Sequence, residues 1–385
     1  MGKATKSGAN RQVYPRQSSS SANSKKTLYW YSRFGRIEVV EQLFTQGKGK
    51  GIERPFSVIA QVHCRGYSLP LERIITDFGA DVPFGQIPGK LQEHHGISVP
   101  VSSAQAITQQ HAEQILQTQL DTLKSDIPEA DGVACLIVEM DGSMIPIVTT
   151  EATTVEGEQV DRRTARQIGW QEARLVFART PEQEYPVFGA TLGTVDEAGD
   201  QLVASAIRVG VGQQTFVHGV GDGAPWIAEQ VNQRFGQPGR YLLDFYHLCD
   251  YLADASKVCA SEHPKAWLEQ QKRRLKHNFV TAVLEALRPY LEPDTVPDKS
   301  APVRSAYRYI HNRLNQLDYK GTLAAELPIG SGEIESAHRY VIQQRLKRSG
   351  SWWSVENAWA MLALRVLREN QDWQSYWLDL AQKAV

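Results

Sequence analysis

The sequence is poor in cysteine, has little net charge and contains no long apolar run, and each absence excludes a class of protein. Its 4 cysteines form no C-x-x-C pair, so the sequence gives no support to a zinc ribbon or, at 385 residues, to a disulfide framework. No stretch of about 18 apolar residues occurs, so we expect no membrane span. The N-terminus lacks the apolar segment of a secretory signal, and the chain is therefore expected to be cytoplasmic.

The bulk composition is that of a folded protein with a sizeable core. Hydrophobic residues make up 42% and charged residues 22% of the chain, which argues against disorder and suits two or three domains. A net charge of -1 weakens an interpretation as a nucleic-acid binder, because such proteins are often basic. The charge is unevenly spread, however. Residues 1–27 hold several Lys and Arg but no acid, and they are predicted to form a disordered basic arm.

The part of the chain that follows this arm divides into a β module and a helical region. Alternating apolar residues punctuated by glycine predict a small β module over 28–67. Helical spacing then predicts three helices within 68–125, with a turn at Gly96 before the last of them. This outline resembles a helix-turn-helix DNA-binding region, and a plain helical bundle that links two domains has the same pattern.

An α/β pattern occupies residues 130–250, and the remainder of the chain is helical. Residues 251–325 are predicted to be an all-α insertion, and 326–385 to be C-terminal helices that complete the core. The predicted fold class is therefore α/β. A helix is predicted over 224–235, and strands are predicted at 134–140, 174–179, 186–194, 202–209, 215–220 and 240–245.

Three acidic residues stand out because of the segments that carry them. Asp141 and Asp222 each end a short apolar run and precede glycine, which is how a strand delivers a carboxylate to a sheet edge. Glu335 opens a helix whose continuation is basic. Three carboxylates at one edge can hold two Mg²⁺ or Mn²⁺ ions, and the order strand-Asp, strand-Asp, helix-Glu is similar to that of ribonuclease-H-like nucleases. Taken singly, each acid is explained equally well as a turn residue or a helix-start charge.

Glu333 competes with Glu335 for the third position. The two residues stand two positions apart on a helix and cannot share a face. One turn after Glu335 come His338 and Arg339, and two turns after it comes Ile342. That stripe joins an acid to basic residues and then to the core, and it favours Glu335.

Several side chains near these acids are predicted to contact DNA. The basic helix after Glu335 would meet phosphates, and the tryptophan pair that follows it would stack on an unpaired base. Asp244 is predicted to support the carboxylates from behind. The histidine at 247 could instead order the carboxylates. The further alternatives are burial of both tryptophans in the core and a purely structural role for that histidine. The predicted DNA contacts are His247, His338, Arg339, Arg345, Lys347, Arg348, Trp352 and Trp353.

At these residues the chain resembles bacterial insertion-sequence transposases of the DDE class, and among them the ISKra-type family. The resemblance spans roughly residues 28–380. It is carried by TDFGAD at 76–81, LQEHHG at 91–96, MDGS at 140–143, GDGA at 221–224, DFYH at 244–247, GSGEIES at 330–336 and QRLKRSG at 344–350. The resemblance implies a ribonuclease-H-like catalytic core interrupted by a helical insertion before the final Glu.

The resemblance also implies partners and an activity. Asp141, Asp222 and Glu335 would hold two Mg²⁺ or Mn²⁺ ions and support cleavage and transfer of DNA strands. The partners would be double-stranded DNA, as terminal inverted repeats and as target, and further copies of the chain on DNA associated with the nucleoid. Related members often begin with a cysteine-bearing, zinc-binding segment, which is here reduced to Cys64. A transposon-derived DNA-binding regulator without catalysis and a non-transposing nuclease on the same core are the rival interpretations.

Overall fold

The computed structural model describes residues 21–45, 52–59, 66–124, 126–150, 166–236 and 239–383. Most of the predicted basic arm and the lone Cys64 lie outside these residues. Within the described part of the chain, none of the helices is both long and apolar enough to cross a membrane.

The described chain begins with a small antiparallel β module. Strand β1 (Ser21–Ser32) pairs with β2 (Gly35–Thr45) across a turn in which Gly35 has a φ of 105°, a conformation that favours glycine. A short strand β3 (Ile52–Glu53) and helix α1 (Pro55–Ile59) follow. The basic arm was predicted to reach residue 27, but residues 21–27 belong to β1 because the hairpin pairs them with β2.

Three helices come next, as the spacing of apolar residues predicts. They are α2 (Leu69–Asp81), α3 (Ile87–His95) and α4 (Val101–Thr122). Gly96 ends α3 in the left-handed conformation, which sets the turn before α4. Helix α4 contains no Lys or Arg, so its surface offers no lasting positive charge to a phosphate. DNA binding by the helical region at 68–125 remains a prediction.

A mixed five-stranded sheet forms the centre of the molecule. Its strands are β4 (Cys135–Thr150), β5 (Arg166–Arg179), β6 (Val187–Thr191), β7 (Phe216–Gly221) and β8 (Gly239–Leu243), in the spatial order β6-β5-β4-β7-β8. The first three pair antiparallel, whereas β7 runs parallel to β4 and β8 runs parallel to β7. The α/β class predicted from the sequence is confirmed.

Two of the sequence predictions for this sheet are wrong. Residues 202–209 form the second half of helix α5 (Val195–Val209) and not a strand, because Thr194 and Glu197 close a capping box and commit the segment to a helix. Strand β4 does not end at residue 140, since its antiparallel partner β5 continues to pair with it as far as Thr150. The helix predicted at 224–235 is present as α6 (Pro225–Phe235).

A group of helices follows the last strand and has a hydrophobic core of its own. This helical insertion begins with α7 (Phe245–Cys259), whose first turn lies at the sheet edge. The helices that follow are α8 (Pro264–Lys276), α9 (Val280–Leu287), α10 (Pro302–His311) and α11 (Tyr319–Ala324).

The C-terminal helices return to the sheet and cover one of its faces. Helix α12 (Gly332–Ala337) passes through a π-helical segment (His338–Gln343) into α13 (Gln344–Leu346). Helix α14 (Val355–Glu369) packs on both the sheet and α4, and α15 (Trp373–Lys383) ends the described chain. The opposite face of the sheet packs against α5 and α6, so the sheet lies between two helical layers.

Candidate active site

The sheet topology brings the three acids together. Because β4 and β7 are parallel neighbours, the carboxyl end of β7 meets β4 at the same edge, where Glu139 is paired with Val220. Asp141 lies two residues beyond that pair, and Asp222 is the first residue after β7. Glu335 comes from the first turn of helix α12. A cavity of about 190 Å³ is lined by Met140, Asp141, Asp222, His247, Ser331 and Glu335.

The Asp141 carboxylate is hydrogen-bonded by its own strand and lies beside a buried histidine. Its Oδ1 accepts a hydrogen bond from the backbone N–H of Gly142 at 2.7 Å, and its Oδ2 lies 3.2 Å from Nε2 of His338. His338 is 3% exposed and begins the π-helical segment. It was predicted to contact DNA, but its burial behind Asp141 excludes this; its position suits the orientation of that carboxylate instead.

The Asp222 carboxylate stabilises the turn that carries it. Its Oδ1 accepts a hydrogen bond from the backbone N–H of Ala224 at 2.9 Å. Between them, Gly223 has a φ of 85°, which favours glycine over any residue with a Cβ. The Asp-Gly sequence thus turns the chain sharply from β7 into α6, and Asp222 lines the cavity.

The structure separates the two glutamates that compete for the third position. Glu335 lines the cavity, and its Oε1 lies 3.0 Å from Nε2 of His247. Glu333 points to the end of β5, where both of its carboxylate oxygens accept hydrogen bonds from Arg179 at 2.9 and 3.0 Å. A carboxylate engaged bidentately by arginine is not a free ligand, so the geometry favours Glu335.

Asp244 fastens the two helices that carry Glu335 and His247. It is buried at the start of α7, where its Oδ1 accepts hydrogen bonds from the N–H groups of Tyr246 and His247 at 2.6 and 2.8 Å. Its Oδ2 accepts from the backbone and the hydroxyl of Ser331, the residue before α12. One carboxylate thus fixes the start of α7 against the start of α12, which is the supporting position predicted for Asp244.

Glu139 is a further acid at this site that the sequence analysis did not single out. It lies on the same face of β4 as Asp141 and is 1% exposed, and its Oε2 accepts a hydrogen bond from the Ile334 N–H at 2.9 Å. Burial raises the pKa of Glu139 from 4.5 to about 8, so the side chain is largely protonated at neutral pH. A lone acid within the apolar run at 136–140 is the signal that could have identified it.

Two of the predicted DNA contacts are instead part of the core. Arg345 is 2% exposed, and its guanidinium lies 4.7 Å from the ring centroids of both Phe84 and Trp353. Its Nε donates to the Gly79 carbonyl at 2.9 Å, and burial lowers the pKa of Arg345 to about 10. Trp353 is 5% exposed and donates to the Leu346 carbonyl. Both predictions are wrong because these side chains pack inside the molecule, where Arg345 joins α13 to α2 and Trp353 packs against Phe84.

The five remaining predicted DNA contacts lie on the surface to different degrees. Arg339, Lys347 and Trp352 are exposed, and Trp352 retains 46% of its accessible area. His247 is partly exposed at the rim of the cavity. Arg348 is half-buried and donates to the carbonyls of Gln344 and of an α2 residue, so its charge is only partly available.

The donor set fits a divalent cation by its chemistry. Carboxylate oxygens are the hard ligands that Mg²⁺ and Mn²⁺ prefer, and Asp141, Asp222 and Glu335 present them to one cavity. Among the described residues, no three His, Cys, Asp or Glu side chains already form an assembled metal-binding group. Glu335 is instead paired with His247, and Asp141 lies 3.2 Å from His338. The residues present are therefore suitable donors, although they are not a preassembled cage.

Comparisons with known proteins give limited information about this chain. A protein-family model matches residues 212–376. Its description is "Uncharacterised protein family (UPF0236)", and the match includes Asp222 and Glu335 but not Asp141. No curated protein matches the chain. A solved structure, "Drosophila P element transposase strand transfer complex", is similar at 8% identity and a TM-score of 0.28, covering 80% of this chain and 79% of that one.

Proposed function

We propose that this protein is a DDE transposase of the ISKra-type family that its motifs resemble. It would bind the terminal inverted repeats of its own insertion sequence and catalyse metal-dependent DNA cleavage and strand transfer. The observation that carries the proposal is the convergence of Asp141, Asp222 and Glu335. These acids are far apart in the sequence, yet they line one cavity at the edge of a mixed sheet.

The arrangement of strands supports a ribonuclease-H-like core. In such a core, an antiparallel three-stranded unit is extended by two parallel strands that join its first strand. The order β6-β5-β4-β7-β8 has this form, with α5 before β7 and α6 before β8. The first acid then falls on the central strand and the second at the end of its parallel neighbour. The helical insertion stands between the second acid and the third, as the resemblance implies.

The roles of the chain's own residues follow from their contacts. Asp141, Asp222 and Glu335 would hold Mg²⁺ or Mn²⁺, two ions per site, and a bound ion would activate the attacking oxygen and stabilise charge on the leaving oxygen. His338 lies 3.2 Å from the Asp141 carboxylate and would restrict its orientation. His247 is paired with Glu335 but remains partly exposed, so it is placed to donate a hydrogen bond to a phosphate oxygen that enters the cavity.

Cleavage and joining use the same site in succession. Water attacks a phosphorus atom of the DNA backbone, and the bond from phosphorus to the 3′ oxygen breaks to leave a free 3′-hydroxyl. That hydroxyl then attacks a phosphodiester of the target, so a new phosphodiester forms and a second 3′-hydroxyl leaves. Arg339 and Lys347 would contact the backbone of the DNA near this site, and Trp352 would stack on an unpaired base. Because two ends are joined to one target, we propose that the chain acts as a homo-oligomer on nucleoid DNA.

A cleavage assay on DNA from both borders of the gene tests the proposal. Each strand is labelled, and wild-type protein is compared with Asp141→Asn in Mg²⁺ and in EDTA, with shuffled border DNA as the substrate control. We expect metal-dependent nicks at the repeat boundary that disappear in the variant. Equal nicking of shuffled DNA would indicate a non-transposing nuclease instead. Binding of the ends without any nick would indicate a transposon-derived regulator.

A further inference from the structure

The turn that carries Asp222 is held from outside the sheet. Asp222 and Gly223 lie between the end of β7 and the start of α6, so their carbonyl groups have no strand partner there. The Gly223 N–H donates to the hydroxyl of Tyr241 on β8 at 3.1 Å. The carbonyl groups of both residues, in contrast, accept hydrogen bonds from the helical insertion.

Two side chains make these contacts, Tyr309 near the end of α10 and Arg313 just after it. The Tyr309 hydroxyl donates to the Asp222 carbonyl. The Arg313 guanidinium donates to the Gly223 carbonyl through Nε at 3.0 Å and through Nη2 at 2.7 Å. Both peptide carbonyls of the Asp-Gly turn are thus fixed by one segment of the insertion.

Tyr309 and Arg313 are themselves held rigidly. The Tyr309 ring stacks on Tyr251 of α7 with centroids 4.2 Å apart, and the Arg313 guanidinium covers it at 4.4 Å. Arg313 also donates to the Tyr309 carbonyl at 3.1 Å. Burial raises the pKa of Tyr309, which keeps its hydroxyl protonated and able to donate.

The turn is closely packed at Gly223. A Cβ on Gly223 would lie 2.5 Å from Cδ1 of Leu243 and 2.8 Å from Nε of Arg313. A packed contact of this kind has few alternative arrangements. A substitution on the insertion side is therefore expected to shift the backbone of the turn.

From these contacts we infer that the helical insertion positions the second acid, with Tyr309 and Arg313 acting as positioning residues for Asp222. The inference rests on the proposed function, since it concerns how the Asp222 carboxylate is presented to the cavity. It gives the insertion a role at the reaction centre through hydrogen bonds to the backbone of that acid, without any contact between the insertion residues and the reacting atoms.

The test compares Tyr309→Phe and Arg313→Lys with Tyr307→Phe as a matched control. Tyr307 lies on the same helix, and its ring stacks on His311 and not on the turn. Mn²⁺ affinity is measured by calorimetry without DNA, and kcat and KM are measured on border DNA. We expect Mn²⁺ binding to weaken about fivefold in Tyr309→Phe, as the loss of one hydrogen bond gives. We expect kcat to fall by about 10- to 100-fold because of the displaced carboxylate, with KM for DNA unchanged.

The two variants and the metal titration distinguish a failure of this inference from a failure of the proposed function. Circular dichroism establishes that each variant is folded, and a rate that recovers at high Mn²⁺ supports the positioning role. Wild-type Mn²⁺ affinity and wild-type kcat in both folded variants would overturn the inference. If Asp222→Asn bound Mn²⁺ as tightly as wild type, the proposed function itself would be wrong, and the insertion variants would not be needed to show it.

Discussion

The burial of Glu139 at the candidate site can be tested by the pH dependence of the protein's stability. This side chain is buried beneath Asp141, accepts a hydrogen bond from the Ile334 N–H and has a second oxygen, Oε1, without a hydrogen-bond partner. Glutamine at the same position keeps the acceptor for Ile334 and cannot ionise. We therefore expect Glu139→Gln to stabilise the protein at alkaline pH and to have little effect in acid.

The sign and size follow from the raised pKa. With a pKa of about 8 in the folded state and 4.5 as the ordinary value, the folded protein binds the extra proton between those pH values. Stability therefore falls as pH rises through this window, and the whole cost is present above pH 8. Each pKa unit corresponds to about 1.4 kcal/mol, so ionisation of Glu139 could lower the free energy of unfolding by at most roughly 5 kcal/mol. Relaxation of the buried site reduces this loss to a few kcal/mol.

Urea unfolding at pH 5, 7 and 9 checks this expectation. The gain of Glu139→Gln over wild type should grow steadily from about zero at pH 5 to a few kcal/mol at pH 9. Glu285→Gln is the control, because Glu285 is exposed on α9 and its loss removes the same charge. A difference between Glu139→Gln and wild type that is the same at all three pH values would refute the reasoning.

Three further predictions follow from the contacts around the site. Glu335→Gln should lower border cleavage by at least about 100-fold, because it removes a metal-binding charge, whereas Glu333→Gln should leave it within a few-fold; equal losses would refute the assignment. Arg345→Ala should lower the free energy of unfolding by about 2–4 kcal/mol through lost packing and hydrogen bonding, without changing the salt dependence of DNA affinity. Arg339→Ala and Lys347→Ala should each reduce the slope of log K against log salt by about 0.9 in a binding titration, and an unchanged slope would place the DNA elsewhere.

The three acids that line the cavity have a simple local context in the sequence. An apolar run followed by Asp-Gly marks the end of β7, and this is where Asp222 lies. The same pattern at Asp141 was placed at a strand end, yet β4 runs on through it, because the antiparallel partner β5 extends the pairing. Local sequence reveals an apolar run, but the length of a strand depends on its neighbours.

The sequence of α5 contains signals for both a strand and a helix, and the strand prediction at 202–209 followed the wrong one. Its second half is rich in Val, Ile and Leu, which suggests a strand, whereas Thr194 and Glu197 have the spacing of a capping box and Gly210 ends the helix in the left-handed conformation. The caps decide where the helix begins and ends, and the apolar residues then fall on its buried face.

The DNA contacts predicted for His338 and Arg345 are wrong because the prediction used their charge and ignored the helical spacing. Ile334, His338, Val341 and Arg345 recur every three or four residues and form the buried stripe of the helix after the third acid. Charge alone suggested that Arg345 faced phosphate. Arg345 is instead buried between Trp353 and Phe84. Phe84 lies between α2 and α3, far away in the sequence, so no local pattern in the C-terminal segment indicates this contact.

The most direct test of the central claim is an anomalous diffraction measurement on crystals grown with Mn²⁺. The account predicts anomalous peaks in the cavity at the sheet edge, with Asp141, Asp222 and Glu335 as protein ligands and Glu333 still paired with Arg179. Peaks bound only by other residues, or an absence of any peak at a Mn²⁺ concentration that supports cleavage, would contradict it.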